Sequence, residues 1–206
     1  LQPDYFPSVN KLAQMALAKP DLEQARQLFT NLNALGDGNE RAQLALVDLD
    51  IMSQEFDAAL SRARQIVETN PRSLRGHLGL ARILLAMGRF DEADSAISQA
   101  SENVGESTDL LFIEADLSLR QGDFERASKV ARTLQADAHR YANNAKFLSS
   151  LGILEQKTNQ LTAARNNLQM AIKLDPKAPA NVLLSLIKVE LGNLDHVEAQ
   201  KHLDAL

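Results

Sequence analysis

Cysteine is absent from the 206 residues, which excludes disulfides, thiolate nucleophiles and Cys-ligated zinc together. The compartment stays open, since a chain without cysteine is at ease in cytosol and periplasm alike. Tryptophan is absent too, and aromatic residues make up only 4% of the chain. Leu and Ala dominate the 45% that is apolar. That balance favours helices, because Ala and Leu lose little on entering a helix while aromatic and β-branched residues suit a pleated surface. No apolar run approaches the roughly 20 residues a bilayer-spanning helix needs. No basic stripe is visible either: 22 Lys and Arg are scattered among 27 Asp and Glu, for a formal charge of −5. Nucleic acid is therefore not an expected partner. A signal peptide is missing, but the chain starts at Leu1 rather than Met. It reads as a mature form or an excised segment, so missing targeting signals carry little weight.

Signatures of chemistry are missing as well. Gly36-Asp37-Gly38 has neither the strand before it nor the Lys after it that a phosphate-binding loop requires. There is no Gly-x-Ser-x-Gly elbow. The four histidines, His77, His139, His196 and His202, are spread over three regions, and the closest two are six residues apart, off one helical face. Acidic pairs such as Glu55/Asp57 and Asp91/Glu92 fall at helix starts, where charge against the helix dipole explains them. The expectation is no enzyme activity, no metal and no cofactor.

What is present is a repeat. Leu22, Phe56, Phe90 and Phe124 fall 34 residues apart, and an Ala follows three residues after each: Ala25, Ala59, Ala93 and Ala127. The pattern returns at Leu161 and Ala164 after a step of 37, and in blurred form at Leu194 and Ala199. Each unit has the same grammar: a turn residue (Pro20, Gly88 or Gly122), an acid near the helix start, a large apolar residue that docks, and a small Ala that lets two helices approach. Phe56, Phe90 and Phe124 read as core. Upstream, apolar residues recur at spacings of three and four: Leu44, Leu46, Val47 and Ile51; Leu80, Ile83, Leu84 and Met87; Leu148, Leu151, Gly152 and Leu154. Pro71 and Pro176 separate units. The spacing predicts helices over 8–18, 22–34, 40–53, 57–69, 73–87, 91–103, 108–120, 124–136, 143–157, 161–173, 179–190 and 196–206, in six pairs.

A 34-residue helix–turn–helix period resembles the tetratricopeptide repeat over nearly the whole chain. The segment KFLSSLGILEQKTNQLTAARNNLQMAIKLDP matches best, with Leu151–Gly152, Ala164, Ala171 and Pro176 at that family's spacing. The family's first-helix Trp or Tyr is replaced by Val9, Gln43, His77, Leu111 and Leu148, and its Gly survives only as Gly152. The expected fold is all-α: one domain, 1–206, with units near 6–39, 40–73, 74–107, 108–144, 145–178 and 179–206. Pairs that cannot bury their apolar faces alone stack into a right-handed superhelical solenoid with a concave face. The apolar end, LDAL, hints at further repeats in a longer protein.

In tetratricopeptide arrays the first helix of each pair lines the concave face. Carried over, that geometry makes Asn10, Gln14, Arg41, Leu44, Asp48, Arg75, Leu78, Arg82, Asp109, Phe112 and Asp116 the candidates for partner binding. Such a mixed lining suits an amphipathic helix or an extended segment. Chaperone-binding relatives clamp a C-terminal carboxylate with Lys and Asn from successive first helices. The matching places here carry Asn10 and Gln14, then Ala45, then Arg75 and Leu78-Gly79, so that clamp is not assembled. Between Leu134 and Ala145 the period stretches by three residues. That loop, with His139, Arg140 and Tyr141, reads as a tolerated insertion before a contact point.

The function that follows is a protein-binding scaffold or adaptor, with no direct membrane insertion. The degenerate repeats are similar to those of bacterial envelope assembly proteins, including exopolysaccharide secretion and protein-sorting systems, which tilts localisation towards the envelope. Two alternatives are a peptide-sensing domain of a larger enzyme or transcription factor, and a self-assembling module that forms homo-oligomers.

Overall fold

A computed structural model describes residues 22–35 and 40–204. Within them the chain forms α1 (Leu22–Leu35), α2 (Glu40–Met52), α3 (Phe56–Thr69), α4 (Leu74–Ala86), α5 (Phe90–Val104), α6 (Thr108–Gln121), α7 (Phe124–Ala136), α8 (Ala145–Lys157), α9 (Leu161–Leu174), α10 (Ala180–Gly192) and α11 (His196–Leu203). One 3₁₀ turn, Ala138–Tyr141, precedes α8, and the described residues contain no strand. The helix expected over 8–18 lies outside the described residues. The architecture is an all-α helical repeat in which first helices (α2, α4, α6, α8, α10) alternate with second helices (α1, α3, α5, α7, α9, α11). The chain divides into two compact units between Leu110 and Leu111, within α6.

Among the described residues, each hairpin of a first and a second helix closes by one backbone device. The N–H of the residue before the second helix donates to a carbonyl five residues back: Glu55 to Asp50 at 2.8 Å, Arg89 to Leu84 at 2.9 Å, Asp123 to Ser118 at 2.8 Å, Gln160 to Glu155 at 2.8 Å and Asp195 to Glu190 at 2.9 Å. The residue before each donor has a left-handed backbone: Gln54, Gly88, Gly122, Asn159 and Leu194, with φ of 60–76°. Its own N–H reaches back three residues, as in Gly88 to Leu85 at 3.1 Å and Leu194 to Leu191 at 3.1 Å. Together these two bonds satisfy carbonyls that the helix end would leave bare.

Turn geometry corrects the register of the last repeat. Leu194 is the left-handed turn residue, 78% exposed, rather than the docking residue expected there. His196, itself exposed, begins the helix at that register position, which restores the three-residue spacing to Ala199. Resemblance between one Leu and another had stood in for position.

The small residues set how closely the helices pack. Ala25, Ala59, Ala93, Ala127 and Ala164 are fully buried, and Ala199 nearly so. In the α8–α9 pair, a Cβ added at Gly152 would lie 2.7 Å from Leu168 Cγ and 3.2 Å from the Ala164 carbonyl oxygen. Around these contacts, α1 and α2 bury Phe29, Leu32, Leu46 and Leu49, while α7 and α8 bury Val130, Leu134, Phe147, Leu148 and Leu151. Leu168 of α9 meets Val182, Leu186 and Val189 of α10.

Polar groups join helices within and between pairs. Buried Asp50 receives Arg26 from the preceding second helix and Arg62 Nε, at 3.2 Å, from its own. Glu155 is equally buried and accepts amide N–H groups from Gln135 at 2.8 Å and from Asn167 at 2.8 and 3.0 Å. Burial holds its carboxyl above the usual range, against those hydrogen bonds. Glu190 takes the same place in the last pair, with His202 Nδ1 at 2.8 Å. Further out, Arg64 pairs with Glu92 at 3.1 Å and Arg165 with Asp195 at 2.8 Å.

The aromatic series departs from expectation. Phe56 and Phe90 are half-buried, but Phe124 is 59% exposed and is not a core residue. A side chain at the start of a second helix overhangs its own hairpin and depends on the next for cover. Leu161, at the same place, lies against Gly192, 3.1 Å from where a Cβ would stand.

Gly152→Ala is expected to lower stability by about 1–3 kcal/mol, because Leu168 and a backbone carbonyl must move; urea unfolding measures it. Leu194→Gly is expected to raise stability by about 1 kcal/mol by relieving the left-handed leucine, read as a higher Tm.

Candidate partner-binding face

The first helices of neighbouring pairs touch one another, α2 with α4 and α8 with α10, so residues one turn apart on each helix form a shared surface. On the α2–α4 side, Arg41, Asp48, Arg75 and Arg82 are all exposed, as the sequence led us to expect. Leu44 and Leu78 are each only 7% exposed. They support the face from below and offer a partner little apolar area. The outward side of this face is therefore charged.

Asp48, Arg75 and Arg82 interact. Although Asp48 reaches solvent, the surrounding protein raises its carboxyl above the usual aspartate range, and the guanidinium charges of Arg75 and Arg82 pull it back. Arg75 and Arg82 lie seven residues apart on α4, roughly 10 Å along the same side of the helix. Neither has a direct hydrogen bond or ion pair among the described residues. Asp50, two residues from Asp48, faces the helices behind and is fully engaged there.

The remaining candidates separate. Asn10 and Gln14 lie outside the described residues. Asp109 is exposed in the first turn of α6. Phe112 is half-buried and packs edge-on against Phe147 with ring centroids 5.7 Å apart, so it belongs to a core aromatic cluster rather than to an open lining. Asp116 is paired with Arg120 of its own helix at 3.0 Å. Tyr141 completes that cluster by stacking on Phe147 at 4.3 Å. The inserted loop is thus anchored through Tyr141 while His139 and Arg140 stay exposed.

A second stretch of face went unassigned from sequence. Lys146, Ser149 and Ile153 of α8, and Asn181, Leu184 and Lys188 of α10, occupy the repeat positions of Arg41, Leu44 and Asp48. The same steps of 37 and 35 residues that carry the turns forward would have found them. Lys146, Ser149, Ile153, Asn181 and Val182 line a recess of about 370 Å³ between α8 and α10, and Leu184 on the same helix is 43% exposed. This face is polar with apolar elements, unlike the charged α2–α4 face. Among the described residues no three His, Cys, Asp or Glu side chains form a metal-holding group, and no helix is long and apolar enough to cross a membrane.

Repeated helix hairpins closed by one turn device, with first helices forming an exposed face, define a helical-repeat interaction scaffold. Residues 51–111 match the family model of the tetratricopeptide repeat. The fold is similar to that of a thermophilic tetratricopeptide-repeat protein of Thermus thermophilus, with a TM-score of 0.73 at 17% identity over 90% of this chain and 98% of that one. PilW, a type IV pilus biogenesis factor, superposes with a TM-score of 0.73 at 16% identity, covering 98% of this chain and 91% of that one. YrrB, described as having an unusual peptide-binding site, gives 0.56 at 15% identity over 85% and 89%. No curated protein matches the chain in sequence. The chain is thus a helical-repeat protein in which residues 51–111 carry the tetratricopeptide-repeat match.

In an NMR titration the Asp48 carboxyl is expected to protonate above the ordinary aspartate range, and Arg75→Gln with Arg82→Gln to move it higher, since both guanidiniums hold it down. The folded chain binds this proton more tightly than the unfolded chain. The stability it contributes is therefore complete below the unfolded value and lost as pH rises through the folded one. Asp48→Asn should remove that pH dependence from thermal melts.

Proposed function

We propose that this protein is a scaffold that holds a segment of another protein on the exposed face of its first helices. The observation that carries the reading is the convergence of Asp48, Arg75 and Arg82 on one exposed surface, with neither arginine in a hydrogen bond or ion pair among the described residues. Two desolvatable guanidiniums fixed on a rigid helix are pre-organised for a partner's acceptors, at little further ordering cost. Taken by itself, the recess between α8 and α10 offers a place for a side chain. Loop chemistry and metal chemistry play no part in this reading.

The finer proposal is a role in a bacterial envelope assembly. A type IV pilus biogenesis factor and Pseudomonas aeruginosa pilF have the same fold, at TM-scores of 0.73 and 0.70, which gives that role a structural precedent.

Affinity capture from the native extract tests the face directly. Wild type is compared with Arg75→Glu, Arg82→Glu, after circular dichroism has shown equal helix content and Tm. A partner held by wild type and lost by the variant is expected. A partner held equally by both would move the contact away from the α2–α4 face.

A further inference from the structure

We propose that the α2–α4 face takes an acidic partner segment and that Asp48 takes up a proton as the segment binds, so that the grip tightens as pH falls. This rests on the face assignment above and adds the chemistry of the occupant and its regulation.

The acidic occupant follows from what the face lacks. The whole chain carries a formal charge of −5, yet here Arg75 and Arg82 present two exposed guanidiniums with no hydrogen bond or ion pair to another described residue. Carboxylates spaced about 10 Å apart could reach both, with charge-assisted hydrogen bonds. A basic segment would meet like charge instead. An apolar helix would find Leu44 and Leu78 already buried.

Proton uptake follows from where Asp48 lies. From α4, Arg75 and Arg82 act on it. The arginines that α1 and α3 bring to α2, Arg26 and Arg62, are engaged with Asp50, and Arg41 is the further cation on α2 itself. Arriving carboxylates share the two guanidiniums that hold Asp48 ionised and place negative charge beside it. Both changes disfavour the carboxylate. Partial desolvation has already moved the group toward protonation in the free protein. The balance is one solvent proton added to the Asp48 carboxylate. The resulting acid can donate its O–H to the incoming oxygen it would otherwise repel.

The probe is a fluorescein-labelled peptide of alternating Glu and Ser, with alternating Lys and Ser as the control, followed by anisotropy. Wild type is expected to bind the Glu peptide and not the Lys peptide, and to bind more tightly at the low end of a pH 5–8 series than at its high end, by up to about tenfold, the scale of one unit of carboxyl shift. Asp48→Asn is expected to bind at the higher pH as wild type does at the lower, with little pH dependence. Arg75→Gln with Arg82→Gln is expected to bind neither peptide, with an unchanged circular dichroism spectrum. Failure of wild type to bind the Glu peptide at either pH would overturn the acidic occupant. A pH dependence that survives in Asp48→Asn would overturn the proton step. If the Glu peptide fails while Arg75→Glu, Arg82→Glu still releases the natural partner, the chemistry falls and the face assignment stands. If the natural partner ignores that substitution, both fall.

Discussion

The structure depends on how closely two helices can approach at one small residue. Ala59, Ala93, Ala127 and Ala164 have essentially no exposed surface, and at Gly152 even a methyl group would collide with Leu168 and a carbonyl oxygen. Close approach fixes the angle and depth of each hairpin, and with it which first-helix residues turn outward. Larger side chains in these places would separate the helices and forfeit the dispersion contacts that a dense interior provides.

The turn makes that packing repeatable. A left-handed residue followed by a backbone bond of 2.8–2.9 Å recurs at all five described hairpins, whether the residue is Gly, Gln, Asn or Leu. Because backbone groups do this work, side chains at the same place are free to diverge. The buried polar position behind the turn binds helices together, from the preceding pair at Asp50 and Glu155 and within one pair at Glu190. Asp50 is met by two arginines, Glu155 by amides and Glu190 by a histidine. A buried acid left without its partner would cost several kcal/mol.

Outward from that frame, the two described stretches of first-helix face differ in chemistry. The α2–α4 face is arginine-rich over buried leucines, while the α8–α10 face combines Lys146 and Asn181 with a recess and an exposed Leu184. Repeats that share a backbone therefore need not share a surface.

Much of the fold was legible in the sequence because it is written in local periods. The Phe-to-Ala spacing, the apolar three-and-four pattern and the turn signals lie within single repeats, and described helices such as α3, α5 and α9 begin within a residue of where that pattern puts them. Exposure of Arg41, Asp48, Arg75 and Arg82 was legible for the same reason. What tertiary structure alone decided is whatever depends on a neighbouring repeat. Phe112 turned to Phe147 and Tyr141, Phe124 was left exposed, and Leu194 became a turn residue while His196 took its register position. The pull of Arg75 and Arg82 on Asp48 also crosses from one pair to the next. A period names the position of a residue within its own repeat; which side chain covers or charges it is set by the next helix to pack against it.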